Sequence, residues 1–113
     1  MAVGDLEYML LFALVATGDG ADGGALRAEL ERRTGRTISA GACYTALERL
    51  QAKGFVGSWL GDATPERGGR RKREYALERA GARELLDSYE RMAAAADGLL
   101  PALRRYVTQH PQR

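Results

Sequence analysis

The apolar positions change their spacing along the chain, and each change marks an element. From Leu6 to Ala16 nearly every residue is apolar. Leu6, Met9, Leu10 and Ala13 make one helical face, and Leu11, Phe12, Leu14 and Val15 fill the rest. A helix that is apolar all round must be covered all round, which in so small a chain implies that a second copy covers part of it. Thr17 to Gly24, rich in Gly and Asp, reads as a loop. Ala25 to Thr34 reads as a second helix, with Ala25, Leu26 and Leu30 inward and Glu29, Arg32 and Arg33 outward; Gly35 suits its C-terminal cap. Ser39 suits the N-cap of a third helix that runs to about Lys53 and ends at Gly54. In that helix Ala40, Cys43, Leu47 and Leu50 form one stripe to be buried. The opposite face carries Gly41, Thr45 and Glu48, flanked by Tyr44 and Arg49.

The pattern then turns strand-like over Phe55 to Leu60 and again over Arg73 to Leu77. Between them lie Arg67, Gly68, Gly69, Arg70, Arg71 and Lys72, which with Arg73 make a basic, Gly-containing hairpin tip. Past Glu78 the spacing becomes heptad-like. Leu85, Tyr89, Met92, Ala96, Leu99, Leu103 and Tyr106 alternate steps of four and three, with Leu86, Ala93, Leu100 and Val107 beside them. This stripe is too wide for a lone exposed helix. It either folds back on its own domain or pairs with a second subunit; the preceding domain is too small to cover its whole length, which favours pairing. Gly98 and Pro101 predict a kink in it. The fold class expected is mainly α with a small β-hairpin (α+β): residues 1–78 as one domain, then residues 79–113 as a long pairing helix with a frayed tail.

Charge sharpens the picture. The chain has 113 residues and a net charge of +2, so it is no general polycation. Acids prevail before Ile38 and bases prevail between Asp62 and Leu77. A local basic patch on a balanced chain suits contact with a polyanion, although a charged loop with glycines can also be no more than a solvated turn. Cys43 is the sole cysteine, so no intrachain disulfide can form and nothing points to an oxidising compartment. The apolar run from Tyr8 to Ala16 is too short to span a bilayer. Acidic Asp5 and Glu7 precede it where a signal peptide would be basic. A cytoplasmic protein is expected.

Other chemistries find little support. A metal sensor needs clustered ligands, but Cys43 and His110 are single and far apart in sequence. Cys43 falls on the apolar stripe and reads as core; His110 reads as tail. No nucleophile has a plausible base partner and no phosphate-binding Gly loop is present, so neither an enzyme nor a cofactor is expected.

The stretch from Ile38 to Val56, ISAGACYTALERLQAKGFV, resembles the third helix and first wing strand of PadR-family transcriptional regulators. Gly68 to Tyr75, GGRRKREY, is similar to that family's wing, and Leu77 to Gly81, LERAG, to the Leu-Thr-x-x-Gly opening its dimerisation helix. The resemblance spans about Leu6 to Ser88. It implies a winged helix-turn-helix protein of the short branch with a single C-terminal helix: a homodimer, a DNA-binding repressor, with several relatives answering to small aromatic or drug-like compounds. Three departures stand out. Asp22-Gly23-Gly24 replaces a common His-Gly-Tyr, Thr45 a common Pro, and Glu78 the usual Thr, which weakens the cap of the last helix.

On this reading the third helix enters the major groove. Ser39, Tyr44 and Thr45 supply polar contacts, Gly41 and Ala42 allow close approach, and Arg49 points to the backbone. Arg67, Arg70, Arg71, Lys72 and Arg73 grip phosphates or enter the minor groove, with Gly68 and Gly69 letting the tip adapt. Tyr44 can alternatively be a partly buried anchor. The dimer interface is expected at Phe12, Val15, Leu85, Tyr89, Met92, Ala96, Leu99 and Leu103. Phe12, Val15, Met92 and Ala96 could frame an effector site there, or simply be core packing. The competing function is a winged-helix module whose basic wing binds an acidic protein partner.

Overall fold

The computed structural model describes residues 3–62 and 71–111. Helix α1 spans Asp5–Thr17, α2 Gly23–Thr34 and α3 Ala40–Ala52. Strand β1 is Ala21–Asp22, β2 Val56–Leu60 and β3 Arg73–Leu77; α4 is Arg79–Ala96 and α5 Leu100–Gln109. The strands form one antiparallel sheet in the order β1-β3-β2. The described residues are therefore α+β, with a β2–β3 hairpin following three helices.

The helix ends follow the expected chemistry. Ser39 Oγ accepts from the Ala42 amide at 3.0 Å and caps α3. At its other end the Phe55 amide donates to the Leu50 carbonyl and the Gly54 amide to the Gln51 carbonyl, both at 3.0 Å. This is a Schellman turn, and Gly54 supplies its positive φ of 78°. Gly35 closes α2, as expected. That helix begins at Gly23, earlier than expected, because Asp22 Oδ1 accepts from the Ala25 amide at 2.8 Å.

Three expectations need correction. Ala25 and Ala40 are exposed rather than inward: each sits in the first turn of its helix, and Leu26 and Leu30, or Cys43, Ala46, Leu47 and Leu50, make the buried face. The supposed loop from Thr17 to Gly24 contains β1, whose Ala21 pairs with Tyr75 and whose Asp22 pairs with Glu74. The last helix does not merely kink. It breaks after Ala96, Gly98 takes a φ of 74°, and Pro101 falls in the first turn of α5. There its missing N–H costs no helical hydrogen bond.

The core joins Leu10, Leu11, Ala13 and Leu14 of α1 to Leu26 and Leu30 of α2, to Ile38, and to Cys43, Ala46, Leu47 and Leu50 of α3. Val56 and Tyr75 of the sheet and Leu85 of α4 complete it. The carboxylate of Glu7 on α1 accepts from Lys53 at the end of α3, with both side chains about nine-tenths buried. On a second side of α1, Tyr8 Oη donates to Glu84 at 2.8 Å and lies 2.7 Å from Ser88 Oγ. Phe12 meets Tyr89 edge to face, with ring centroids 6.3 Å apart. Glu78 makes no side-chain cap, as the replacement of Thr led one to expect. Its amide instead donates to the Phe55 carbonyl at 3.0 Å. Gly81 lies against that same carbonyl, where a Cβ would overlap it.

Beyond Leu85 the C-terminal helices leave this core. The radius of gyration is 17.0 Å, against about 13 Å for a compact chain of this length. The molecule is drawn out to 56 Å along its longest axis by these helices.

Candidate nucleic-acid interface

With Cys43, Ala46, Leu47 and Leu50 buried, the remaining face of α3 is turned to solvent. Ser39, Gly41, Ala42, Tyr44, Thr45, Glu48 and Arg49 are all exposed. Helical spacing puts Gly41, Thr45 and Glu48 along the outermost line, Tyr44 on one flank and Arg49 on the other. Tyr44 is 55 % exposed, so it is not the partly buried anchor. Nothing lies within 4 Å of where a Gly41 side chain would start.

The β2–β3 hairpin stands beside this face. Tyr44, Glu48, Gln51 and Ala52 of α3, with Arg73 and Tyr75 of β3, line an open groove of about 510 Å³. Arg73 Nη1 donates to Ser58 Oγ across the hairpin at 3.0 Å. Lys72 pairs with Asp22 Oδ2 at 3.7 Å, so it is partly committed within the chain. Arg71 is exposed. Arg67, Gly68, Gly69 and Arg70 lie outside the described residues. Trp59, 42 % exposed, donates from Nε1 to Glu74 at 3.0 Å. Burial pushes the Tyr75 phenol up from its ordinary pKa and also raises the Cys43 thiol. Cys43 is a core residue, its Sγ directed at the Gly23 carbonyl. No group of metal-ligating side chains occurs among the described residues.

The residues expected to pair two copies divide. Phe12, Val15, Tyr89, Met92, Leu99 and Leu103 are exposed, from 44 % at Phe12 to 71 % at Met92. Ala96 is half-buried. Leu85 departs from the group: it is buried in the chain's own core. Leu86, Leu100, Tyr106 and Val107 extend the exposed apolar surface. Phe12 and Val15 line an apolar cleft of about 360 Å³ between α1 and α2, with Met9, Ala16 and Leu30. Met92 and Ala96 are not part of that lining.

Residues 12–87 match the model of the transcriptional regulator PadR-like family. The chain belongs to that family. No curated protein matches. Among solved structures, a PadR family regulator from Clostridium difficile is similar, with a TM-score of 0.70 and 20% identity over 88% of this chain and 99% of that one. A PadR family regulator from Eggerthella lenta gives a TM-score of 0.68 and 23% identity over 84% and 80%. F93 from STIV, a winged-helix DNA-binding protein, gives a TM-score of 0.64 and 21% identity over 80% and 90%. The α3 face and its neighbouring hairpin are thus those of a winged helix, and this PadR-like chain is a DNA-binding transcription regulator. The family consists of regulators, not enzymes. No helix of the described residues is long and apolar enough to cross a membrane.

Proposed function

We propose that this regulator is a cytoplasmic homodimeric repressor that grips a pseudo-palindromic operator with two copies of α3. The observation that carries the reading is the α3 face itself. A helix capped by Ser39 turns small and polar groups outward along its length, next to a hairpin bearing Arg71. Gly41 and Ala42 let the helix backbone approach the bases, while Ser39, Tyr44 and Thr45 offer hydrogen bonds to base edges and sugar-phosphate. Arg49 and the wing residues Arg67, Arg70, Arg71 and Arg73 supply phosphate contacts, with Gly68 and Gly69 between them; Lys72 joins only by leaving Asp22. Residues 1–78 serve DNA and residues 79–113 serve pairing. The exposed apolar side chains from Tyr89 to Val107 support the pairing, since surfaces of this kind mark association sites. A small aromatic effector in the cleft beside Phe12 and Val15 would act on that dimer.

Fluorescence anisotropy on the promoter DNA of the regulator's own gene, over a salt series, tests this reading. Changing Arg70 and Arg71 to Ala should lower affinity evenly across sequences. It should also flatten the salt dependence by about one unit per lost phosphate contact. An unchanged slope refutes the role of the wing. Binding only to an acidic protein, and never to DNA, refutes the reading as a whole.

A further inference from the structure

Glu48 is the odd member of the α3 face. It is exposed, and it follows Thr45 by one helical turn on the same outward line as Gly41. Three residues of helix advance about 4.5 Å, close to the rise of one base-pair step. Glu48 lines the groove between α3 and the hairpin. Among the described residues no hydrogen bond or ion pair holds it. Arg73, the cation that lines the same groove, donates to Ser58 instead. A free carboxylate on the surface that meets a polyanion needs a reason.

Donor and acceptor chemistry supplies one. An ionised carboxylate only accepts hydrogen bonds. Phosphate oxygens, guanine O6 and N7, adenine N7 and thymine O4 also only accept. In the major groove the donors are the exocyclic amino groups, N4 of cytosine and N6 of adenine; the pairing that suits Glu is with cytosine N4. Adenine sets its N7 acceptor beside N6, against the second carboxylate oxygen. Every other edge leaves Glu48 facing lone pairs, desolvated and repelled.

We infer that Glu48 is a specificity-determining residue, whose carboxylate accepts from the N4 amino group of a cytosine next to the Thr45 contact. It thereby rejects sites that lack this amino group. Its contribution is to discrimination rather than to grip. The charge lowers affinity for DNA in general, and the lost affinity returns only at the matching base. The inference rests on α3 lying in the major groove.

The test is selection of bound sites from random duplex DNA by the full chain, in the native form and as Glu48→Ala and Glu48→Gln, with circular dichroism to establish that each folds. Native protein should enrich a two-fold site with a cytosine fixed in each half. Glu48→Ala should lose preference at that position alone, by roughly 5- to 100-fold, while binding unrelated DNA more tightly than the native chain does. Glu48→Gln should shift the same position toward adenine, which pairs with an amide through N6 and N7. Unchanged base preferences in both variants overturn the inference while leaving the winged-helix reading intact. Failure of the native chain to enrich any site overturns that reading instead.

Discussion

A methyl group added at Gly81 and one added at Gly41 should move stability in opposite directions. Both glycines lie within helices, where Ala is favoured over Gly by up to about 1 kcal/mol. At Gly41 no atom lies within 4 Å of the new Cβ, so Gly41→Ala should stabilise by about 0.5–1 kcal/mol. At Gly81 the new Cβ would sit 2.9 Å from the Phe55 carbonyl carbon, and closer still to its oxygen. Those are backbone atoms that cannot simply swing away. The Phe55 amide donates to Leu50, and its carbonyl accepts from the Glu78 amide, each at 3.0 Å. Overpacking costs about 1–3 kcal/mol, and a loosened hydrogen bond about 1 kcal/mol more. Less the helix preference of about 1 kcal/mol, Gly81→Ala should destabilise by about 1–3 kcal/mol. Urea unfolding at one fixed protein concentration reads both changes as opposite shifts of the midpoint. A Gly81→Ala protein as stable as the native chain would refute the close approach of α4 to the wing turn. The pair also separates stability from function. If α3 meets DNA as proposed, Gly41→Ala should weaken operator binding although the fold gains stability, because its methyl group would stand between the helix and the bases.

Lys53→Ala should cost about 3–5 kcal/mol, since it leaves the Glu7 carboxylate buried without its cation; a double-mutant cycle with Glu7→Leu, measured by urea unfolding, should recover much of that loss. Hydrogen bonds from Ser88 and Tyr8, with the Arg91 guanidinium nearby, hold the Glu84 carboxyl below its ordinary range. A lowered folded value gives stability that is present above the unfolded pKa and is lost as the pH falls through the folded one. Acid unfolding should therefore be less steep in Glu84→Gln below roughly pH 5, and identical acid limbs would rule out this joint as a source of stability. Leu103 is 59 % exposed, so in the proposed dimer Leu103→Asp should leave the circular dichroism unchanged while sedimentation shifts from dimer to monomer. A native chain that sediments as a monomer would remove the case for pairing.

Local rules made most of the fold legible. Ser39, Gly35 and Gly54 mark helix ends because caps depend on residues a few positions apart, and these are where the helices start and stop. The α3 face was legible for the same reason: a stripe of buried positions defines its opposite. What escaped depends on partners distant in sequence. Two residues of β1 carry no periodicity, and they are strand only because Tyr75 and Glu74 pair with them. Leu85 fits the heptad as well as Leu99 does, yet the first lies in the chain's own core and the second is exposed. The commitment of Lys72 to Asp22 spans fifty positions and leaves no local trace. Glu48 was visible on the outward line of α3, but its lack of a partner is a property of the folded surroundings.

The division of labour on α1 explains how these pieces act together. Its sequence is apolar all round, and the fold resolves this into covered and uncovered sides. Leu10, Leu11, Ala13 and Leu14 are buried by the chain itself, while Phe12 and Val15 are not. The adjacent residues Glu7 and Tyr8 then fasten two different elements. Glu7 holds the end of α3 through Lys53, and Tyr8 holds α4 through Glu84 and Ser88. A single helix thus fixes both α3 and the root of the C-terminal helices, through short side-chain contacts rather than a flexible linker. In the proposed dimer the distance between the two copies of α3 would then be set by the packing of α1. Loosening the Tyr8 joint should blur the preferred spacing of operator half-sites before it alters which bases each half-site contains.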